Sequence, residues 1–307
     1  MEQKTFALKG NIIYTKERTR FEVMEQGWLV CEEGRVRDVY SVLPEELKGI
    51  PVEDMGDRLI IPGLTDLHIH APQYTFRSLG MDMELLEWLE TNTFPEESKY
   101  KDAEYAQKAY GMFAEQLKKS ATVRACIFGT IHNEATLILM DLLEEAGLHT
   151  MVGKVNMDRN SPDYLCEPSA EASAQATREW LKAVADRKYK HTRPILTPRF
   201  TPSCTDELME LLKEIQTETH LPMQSHLSEN PGEIAWVKEL CPWSEFYGDA
   251  YDKFGLFGGD CPTVMAHCVY SGKEEMALMK EKGVFVAHCP ESNTNLSSGV
   301  APVRRYL

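Results

Sequence analysis

Basic residues are scarce in this chain: 33 Lys and Arg stand against 48 Asp and Glu, a formal charge of −15. That balance argues against a nucleic-acid backbone or an anionic membrane surface as the main partner. It does not argue against a small neutral substrate, because the field inside one site can differ from the global one. No uninterrupted apolar run reaches the ~18 residues of a membrane-spanning helix. The chain opens Met1-Glu2-Gln3-Lys4, with no basic-then-apolar leader. Its eight cysteines form no Cys-x-x-Cys pair, so the expectation is reduced thiols in a cytoplasmic protein. Internal repeats, low-complexity tracts and a Gly-rich phosphate loop are also lacking.

What is present begins with β-rich runs. Residues 5–14, 27–31, 36–40 and 59–61 have strand character, and the acidic-Gly break Glu32-Glu33-Gly34 between two of them signals a hairpin. These runs predict a small N-terminal β module over residues 1–62. From residue 63 to 307 the pattern becomes an alternation of strands and helices. Ala106, Ala109, Tyr110, Phe113 and Leu117 recur at helical spacing, so residues 102–119 form a helix with one apolar stripe. Further helices are expected over 134–146, 170–186, 205–217, 232–240 and 273–282. Strands fall at 64–70, 123–129, 151–155, 194–200, 223–227, 264–268 and 284–289. Such alternation predicts parallel strands with crossover helices. The leading fold is α/β, a TIM-like (β/α)8 barrel, with a doubly wound open sheet as the runner-up. Seven strands can be counted where a closed barrel needs eight, so the chain reads as a barrel lacking strand eight.

Barrel enzymes carry their reacting groups at the C-terminal ends of strands. The first strand ends Asp66-Leu67-His68-Ile69-His70-Ala71-Pro72-Gln73. Alternate residues of a strand share a face, which sets His68 and His70 about 7 Å apart on one side. Two imidazoles so placed can grip one zinc ion. Later strands end in Thr197-Pro198-Arg199-Phe200, His226-Leu227-Ser228-Glu229, Ala266-His267-Cys268 and Ala287-His288-Cys289-Pro290. Each has a blander alternative. Glu229 is also readable as a solvated loop carboxylate, Arg199 and Phe200 as an ion-paired residue and a core aromatic, and His267 as a packed core histidine. His288, His132, His149, His191 and His220 read as structural or surface residues. His132-Asn133-Glu134 matches the His-x-Glu of the smaller zinc deaminases, but their Pro-Cys-x-x-Cys is absent, so Glu134 reads as a helix start.

The run Pro62-Gly63-Leu64-Thr65-Asp66-Leu67-His68-Ile69-His70 resembles the metal-dependent amidohydrolase superfamily. Leu86-Glu87-Trp88-Leu89 with Thr93-Phe94-Pro95-Glu96, then Arg199-Phe200, His226-Leu227-Ser228-Glu229-Asn230 and His288-Cys289-Pro290 with Ser292-Asn293, resemble its guanine deaminase branch. The resemblance covers nearly the whole chain. It implies zinc-dependent hydrolysis of guanine to xanthine and ammonia. One zinc per chain, with iron(II) as the alternative metal, would be held by His68, His70 and His226. Glu229 and His267 would be catalytic: Glu229 carries a proton to the purine ring, and His267 orients the attacking water. Substrate contacts would come from His70, Ala71, Pro72, Gln73, Trp88, Arg199, Phe200, His226 and Glu229. A homodimer is compatible with the acidic surface. The family's further metal-site Asp, on strand eight, has no counterpart before Leu307, so the expectation is a fragment, weakly active or inactive alone. The alternatives are a sister enzyme deaminating another amino-heterocycle, such as an adenosine analogue or a triazine, and a non-catalytic purine-binding barrel.

Overall fold

The computed structural model describes residues 5–307. Contacts divide the chain into two compact units, with the break after Leu64. In the first, β1 (Phe6–Glu17), β2 (Arg20–Glu32), β3 (Arg35–Tyr40) and β4 (Val52–Ile60) form one sheet in the order β3-β2-β1-β4. The hairpin pairs are antiparallel, whereas β4 runs parallel to β1. The β2–β3 turn is Glu33-Gly34, with φ of 51° and 73°. Two positive φ values make the mirror-image turn whose twist matches that of the strands. Ala7, Val30 and Leu47 are the buried centre of this unit.

The second unit opens within β5 (Leu64–His70); β5, β6 (Thr122–Phe128), β7 (His149–Gly153) and β9 (Thr192–Pro194) lie side by side in that order. The two-residue strands β8 (Val155–Asn156) and β10 (Thr197–Pro198) follow β7 and β9 and pair with each other. A bridge from Leu196 to Met223 leads on to β11 (Met223–Leu227), β12 (Thr263–His267) and β13 (Phe285–Ala287). The pairings from β6 to β13 are parallel. Seven strand positions therefore follow one another in chain order, with helices on the crossovers. This is the α/β architecture with a parallel sheet that the alternation predicts.

Between β5 and β6 comes a helical stretch the sequence pattern did not flag. It runs through α1 (Leu85–Trp88), a π turn (Leu89–Thr93) and α2 (Phe94–Ser98). The long helix α3 (Ala103–Lys118) follows, started by Asp102, whose carboxylate accepts the Glu104 N–H at 2.9 Å. Helix α4 (Asn133–Ala146) begins at the His132-Asn133-Glu134 run and ends at Gly147, φ 74°, the left-handed stop that glycine takes without strain. Ser169 and Thr205 cap α5 (Ala170–Arg187) and α6 (Asp206–Thr219). Asn230 and Glu233 form a reciprocal capping box on α7 (Pro231–Leu240). The short α8 (Asp249–Asp252), then α9 (Lys273–Lys282) and α10 (Pro290–Asn295), complete the elements that bear on the site.

The apolar stripes of these helices face the strands. Leu139, Met140 and Leu143 of α4 and Trp180 of α5 are buried with Ala125 and Ile127 of β6. Cutting any such leucine to alanine costs about 2–5 kcal/mol. The result is a firm seat for the strand ends, where the ionisable groups emerge. Among the described residues no helix is long and apolar enough to cross a membrane.

Candidate active site

Strand β5 delivers Asp66, His68 and His70 on one face, at the alternate-residue spacing of an extended chain. β11 and β12 end in His226-Leu227 and His267. The four imidazoles meet. Ring centroids of His68 lie 4.8 Å from His70, 4.8 Å from His226 and 5.1 Å from His267. Phe128, at the end of β6 and fully buried, packs against His68, His70 and His226 at 5.0, 4.5 and 5.0 Å. His267 itself sits at φ 72°, a left-handed conformation that a non-glycine residue holds only when its surroundings enforce it.

The hydrogen bonds fix which nitrogens are bare. His226 Nδ1 lies 2.6 Å from the Arg199 carbonyl oxygen. A carbonyl can only accept, so Nδ1 carries the hydrogen and Nε2 presents a lone pair. That Nε2 faces Nε2 of His70 at 3.0 Å, while His70 Nδ1 is buried with no partner. Burial first, and neighbouring imidazoles after it, hold His68, His70 and His226 well below the ordinary histidine range. The rings are therefore neutral at pH 7. Neutral imidazoles with converging bare nitrogens suit a zinc-like divalent cation. Donor atoms of His68, His226 and His267 lie within 4.8 Å of one another. This trio differs from the expected His68, His70 and His226, and His70 joins it through its contact with His226.

Beside the imidazoles stands a carboxyl that, among the described residues, has no Lys or Arg bonded to it. Glu229 follows β11 and is buried, and burial pushes its pKa up to about 8. Its Oε2 is 3.3 Å from His267 Nε2, and its Oε1 accepts from Ser298 Oγ at 3.3 Å. Burial and then the nearby Glu229 raise Glu233 to about 7. Glu233 accepts the backbone N–H of Glu229 at 3.0 Å and the Tyr247 hydroxyl at 2.8 Å. Glu229 is therefore held in place from its backbone as well as from its side chain, which excludes the solvated-loop reading.

On another wall, Arg199 is 2% exposed and bidentate to Glu97, with Nη1 to Oε2 at 2.6 Å and Nη2 to Oε1 at 3.1 Å. The guanidinium also lies 5.3 Å from the Phe94 ring. The ion-pair reading of Arg199 and its placement at the site thus hold together. A cavity of about 460 Å³ is lined by His68, His70, His226, His267, Glu229, Arg199, Phe200, Gln73 and Trp88, with Asp66, Glu233 and Cys289 also on its wall. Trp88 is anchored by its Nε1–H donating to the Leu79 carbonyl at 3.0 Å. Phe200 meets the His226 ring edge-on at 6.4 Å.

Ala71 and Pro72, expected among the substrate contacts, are buried in the 3-10 turn Ala71–Phe76, between His70 and Gln73 of the cavity wall. Ala71 joins the core around Tyr100, whose hydroxyl donates to the Pro72 carbonyl at 3.1 Å. Conversely, sequence reasoning gave no role to Glu97, Phe128, Glu233, Asn293 or Ser298. Asn293 was legible as part of a polar Ser292-Asn293 pair after β13, but only folding sets its Oδ1 2.7 Å from His267 Nδ1. His149 and His191 meet each other, 4.9 Å between rings, and neither lines this cavity.

Comparison with known proteins gives the family. Residues 59–307 match the model of the amidohydrolase family. Guanine deaminase of Dictyostelium discoideum is 38% identical over 97% of this chain and 70% of its own length. For the Mus musculus guanine deaminase the figures are 38%, 97% and 62%. The crystal structure of guanine deaminase from C. acetobutylicum, with guanine bound in its active site, superposes with a TM-score of 0.95. It is 47% identical, covering 98% of this chain and 71% of that one. The chain thus spans about two thirds of the length of these relatives. On the family match and these identities together, it belongs to the amidohydrolase family, in its guanine deaminase branch.

Proposed function

We propose that this chain carries the purine-holding and proton-handling machinery for hydrolysis of guanine to xanthine and ammonia. The observation that carries the reading is one cavity in which converging neutral imidazoles, a proton-bearing carboxyl and a paired guanidinium face one another. The seven successive strands support a (β/α)8 barrel, with the site at their C-terminal ends. Free cysteines at all eight positions fit a reducing compartment such as the cytoplasm.

His68, His70 and His226 would hold a zinc ion, with His267 at the rim of the same cluster. When bound, zinc lowers the pKa of a water from 15.7 to about 7. Arg199 has five N–H donors and gives two to Glu97. The remaining three can meet the carbonyl and ring nitrogen of an oxo-purine, with Gln73 as a second donor and Phe200 and Trp88 as apolar walls. Glu229 keeps its proton at neutral pH and donates it to the ring nitrogen beside the amino-bearing carbon. A water oxygen adds to that carbon while one water proton passes through His267 to the amino group; the bond from the carbon to that group breaks, ammonia leaves, and the second water proton returns to Glu229 as the new carbonyl forms. General-acid transfer of this kind contributes about 10²–10⁴-fold. His267, 3.3 Å from Glu229, receives and returns protons during these steps.

The test is ammonia release from zinc-loaded protein offered guanine, adenine and an aminotriazine in parallel. Turnover that is selective for guanine but weak is expected of this chain alone. Turnover of the triazine or adenine with guanine untouched would overturn the substrate assignment.

A further inference from the structure

Three groups outside the expected constellation were brought against the catalytic pair by folding: Asn293, Ser298 and the backbone that links them. Asn293 and Ser298 are fully buried. The Asn293 N–H donates to the Cys289 carbonyl at 2.9 Å, and its own carbonyl accepts from the backbone of Ser298 at 2.8 Å and Gly299 at 3.2 Å. Backbone hydrogen bonds thus tie α10 to the turn that follows it, across residues 289–299. From this segment the Asn293 side chain reaches His267, and the Ser298 side chain reaches Glu229.

We infer that Asn293 is a positioning residue that selects the His267 tautomer with a bare Nε2, aimed at Glu229. The inference rests on the proposed proton roles of Glu229 and His267. An amide oxygen has only lone pairs, so the 2.7 Å contact from Asn293 Oδ1 requires the hydrogen on Nδ1. A neutral imidazole protonated there has an acceptor at Nε2, which is the atom 3.3 Å from Glu229 Oε2. Ser298 Oγ donates to the other carboxyl oxygen, Oε1. With Oε1 so engaged, Oε2 is the carboxyl oxygen that faces the imidazole lone pair and the place for any proton the carboxyl carries. The polarity is consistent from end to end: Ser298 hydroxyl to Glu229, Glu229 proton to His267 Nε2, and His267 Nδ1–H to Asn293. Turning the Asn293 amide over would reverse the histidine and leave a hydrogen on Nε2. Asn293 therefore sets which partner gives and which receives.

The experiment is ¹⁵N-histidine NMR on the metal-stripped protein and again after zinc loading, with the His267 signals assigned by their loss in His267→Gln. The wild type is expected to show the Nδ1–H tautomer. Asn293→Asp, isosteric and still an acceptor, should keep that tautomer and most of kcat. Asn293→Leu should lose the preference and lower kcat by about 10–100-fold, the usual loss when a partner that orients a site histidine is removed, with KM little changed. An Nε2–H tautomer in the wild type, or an unchanged tautomer in Asn293→Leu, would overturn the inference. The wild-type spectrum decides even where Asn293→Leu does not fold. A tautomer that changes in Asn293→Leu while kcat does not would instead overturn the proton roles and leave the tautomer assignment standing.

Discussion

Two walls of the same cavity solve the burial of a charged group in opposite ways. On one, Glu97 meets Arg199 through two hydrogen bonds, and both residues are almost fully buried as an ion pair. On the other, Glu229 and Glu233 are equally buried but, among the described residues, have no Lys or Arg bonded to them. Burial lifts them to about 8 and about 7. Taking a carboxylate out of water costs several kcal/mol unless a partner repays it. With a guanidinium in reach the charge stays; without one the proton stays. The paired wall is therefore suited to holding a substrate in register, and the unpaired wall to giving a proton away.

The most severe test removes the proton. Glu229→Gln keeps the shape and the acceptor but cannot act as an acid. We expect kcat for ammonia release to fall by about 10²–10⁴-fold, with KM within a few-fold. A loss confined to KM would place Glu229 with Arg199 and erase the distinction. Next in size is the pair itself. Glu97→Ala strands a buried guanidinium and should cost about 3–5 kcal/mol in urea denaturation. The double change Glu97→Leu with Arg199→Met should recover most of that stability without recovering purine binding. If Glu97→Ala costs no more than a surface change, the two walls do not differ as described.

A third measurement sharpens the contrast through pH. Folded Glu229 holds its proton up to about 8, whereas an unperturbed glutamate releases it near 4.5. Across that window the unfolded chain binds fewer protons than the folded one, so the contribution of Glu229 to stability declines as pH rises. Glu229→Gln has nothing to ionise. Its unfolding free energy, measured in the metal-stripped protein, should gain on the wild type between about pH 5 and about pH 8. A constant gap would mean that the carboxyl is not held protonated. The smallest effect belongs to an exposed pair, Lys253–Asp206 at 3.0 Å with side chains 43% and 42% exposed. Asp206→Asn there should cost under about 1 kcal/mol, because water screens what it surrounds.

Much of the architecture could be read from periodicity. Strand β11 and helix α9 fall on the expected residues, and most other elements lie within a residue or two of them. Long apolar stripes and clear stops such as Gly147 make this possible, since both are local signals. The stretch Leu85–Ser98 escaped because its helical pieces are short and joined by a π turn, so no single period runs through it. The histidines of the site were legible for a different reason: polar residues ended strands that were otherwise apolar. Their partners were not legible. Glu97 is 102 residues from Arg199, and Asn293 is 26 residues from His267. No local rule links positions so far apart, and only the meeting of strand ends does.

Gly153 closes β7 where the neighbouring chain comes nearest. A Cβ built there would stand 1.7 Å from Thr197 Oγ1 and 2.8 Å from the Ile195 carbonyl oxygen. No rotamer relieves a collision that involves the first side-chain atom and a main-chain oxygen. A library randomised at this codon and screened only for soluble expression should return the parental residue almost alone, even though position 153 never touches the chemistry.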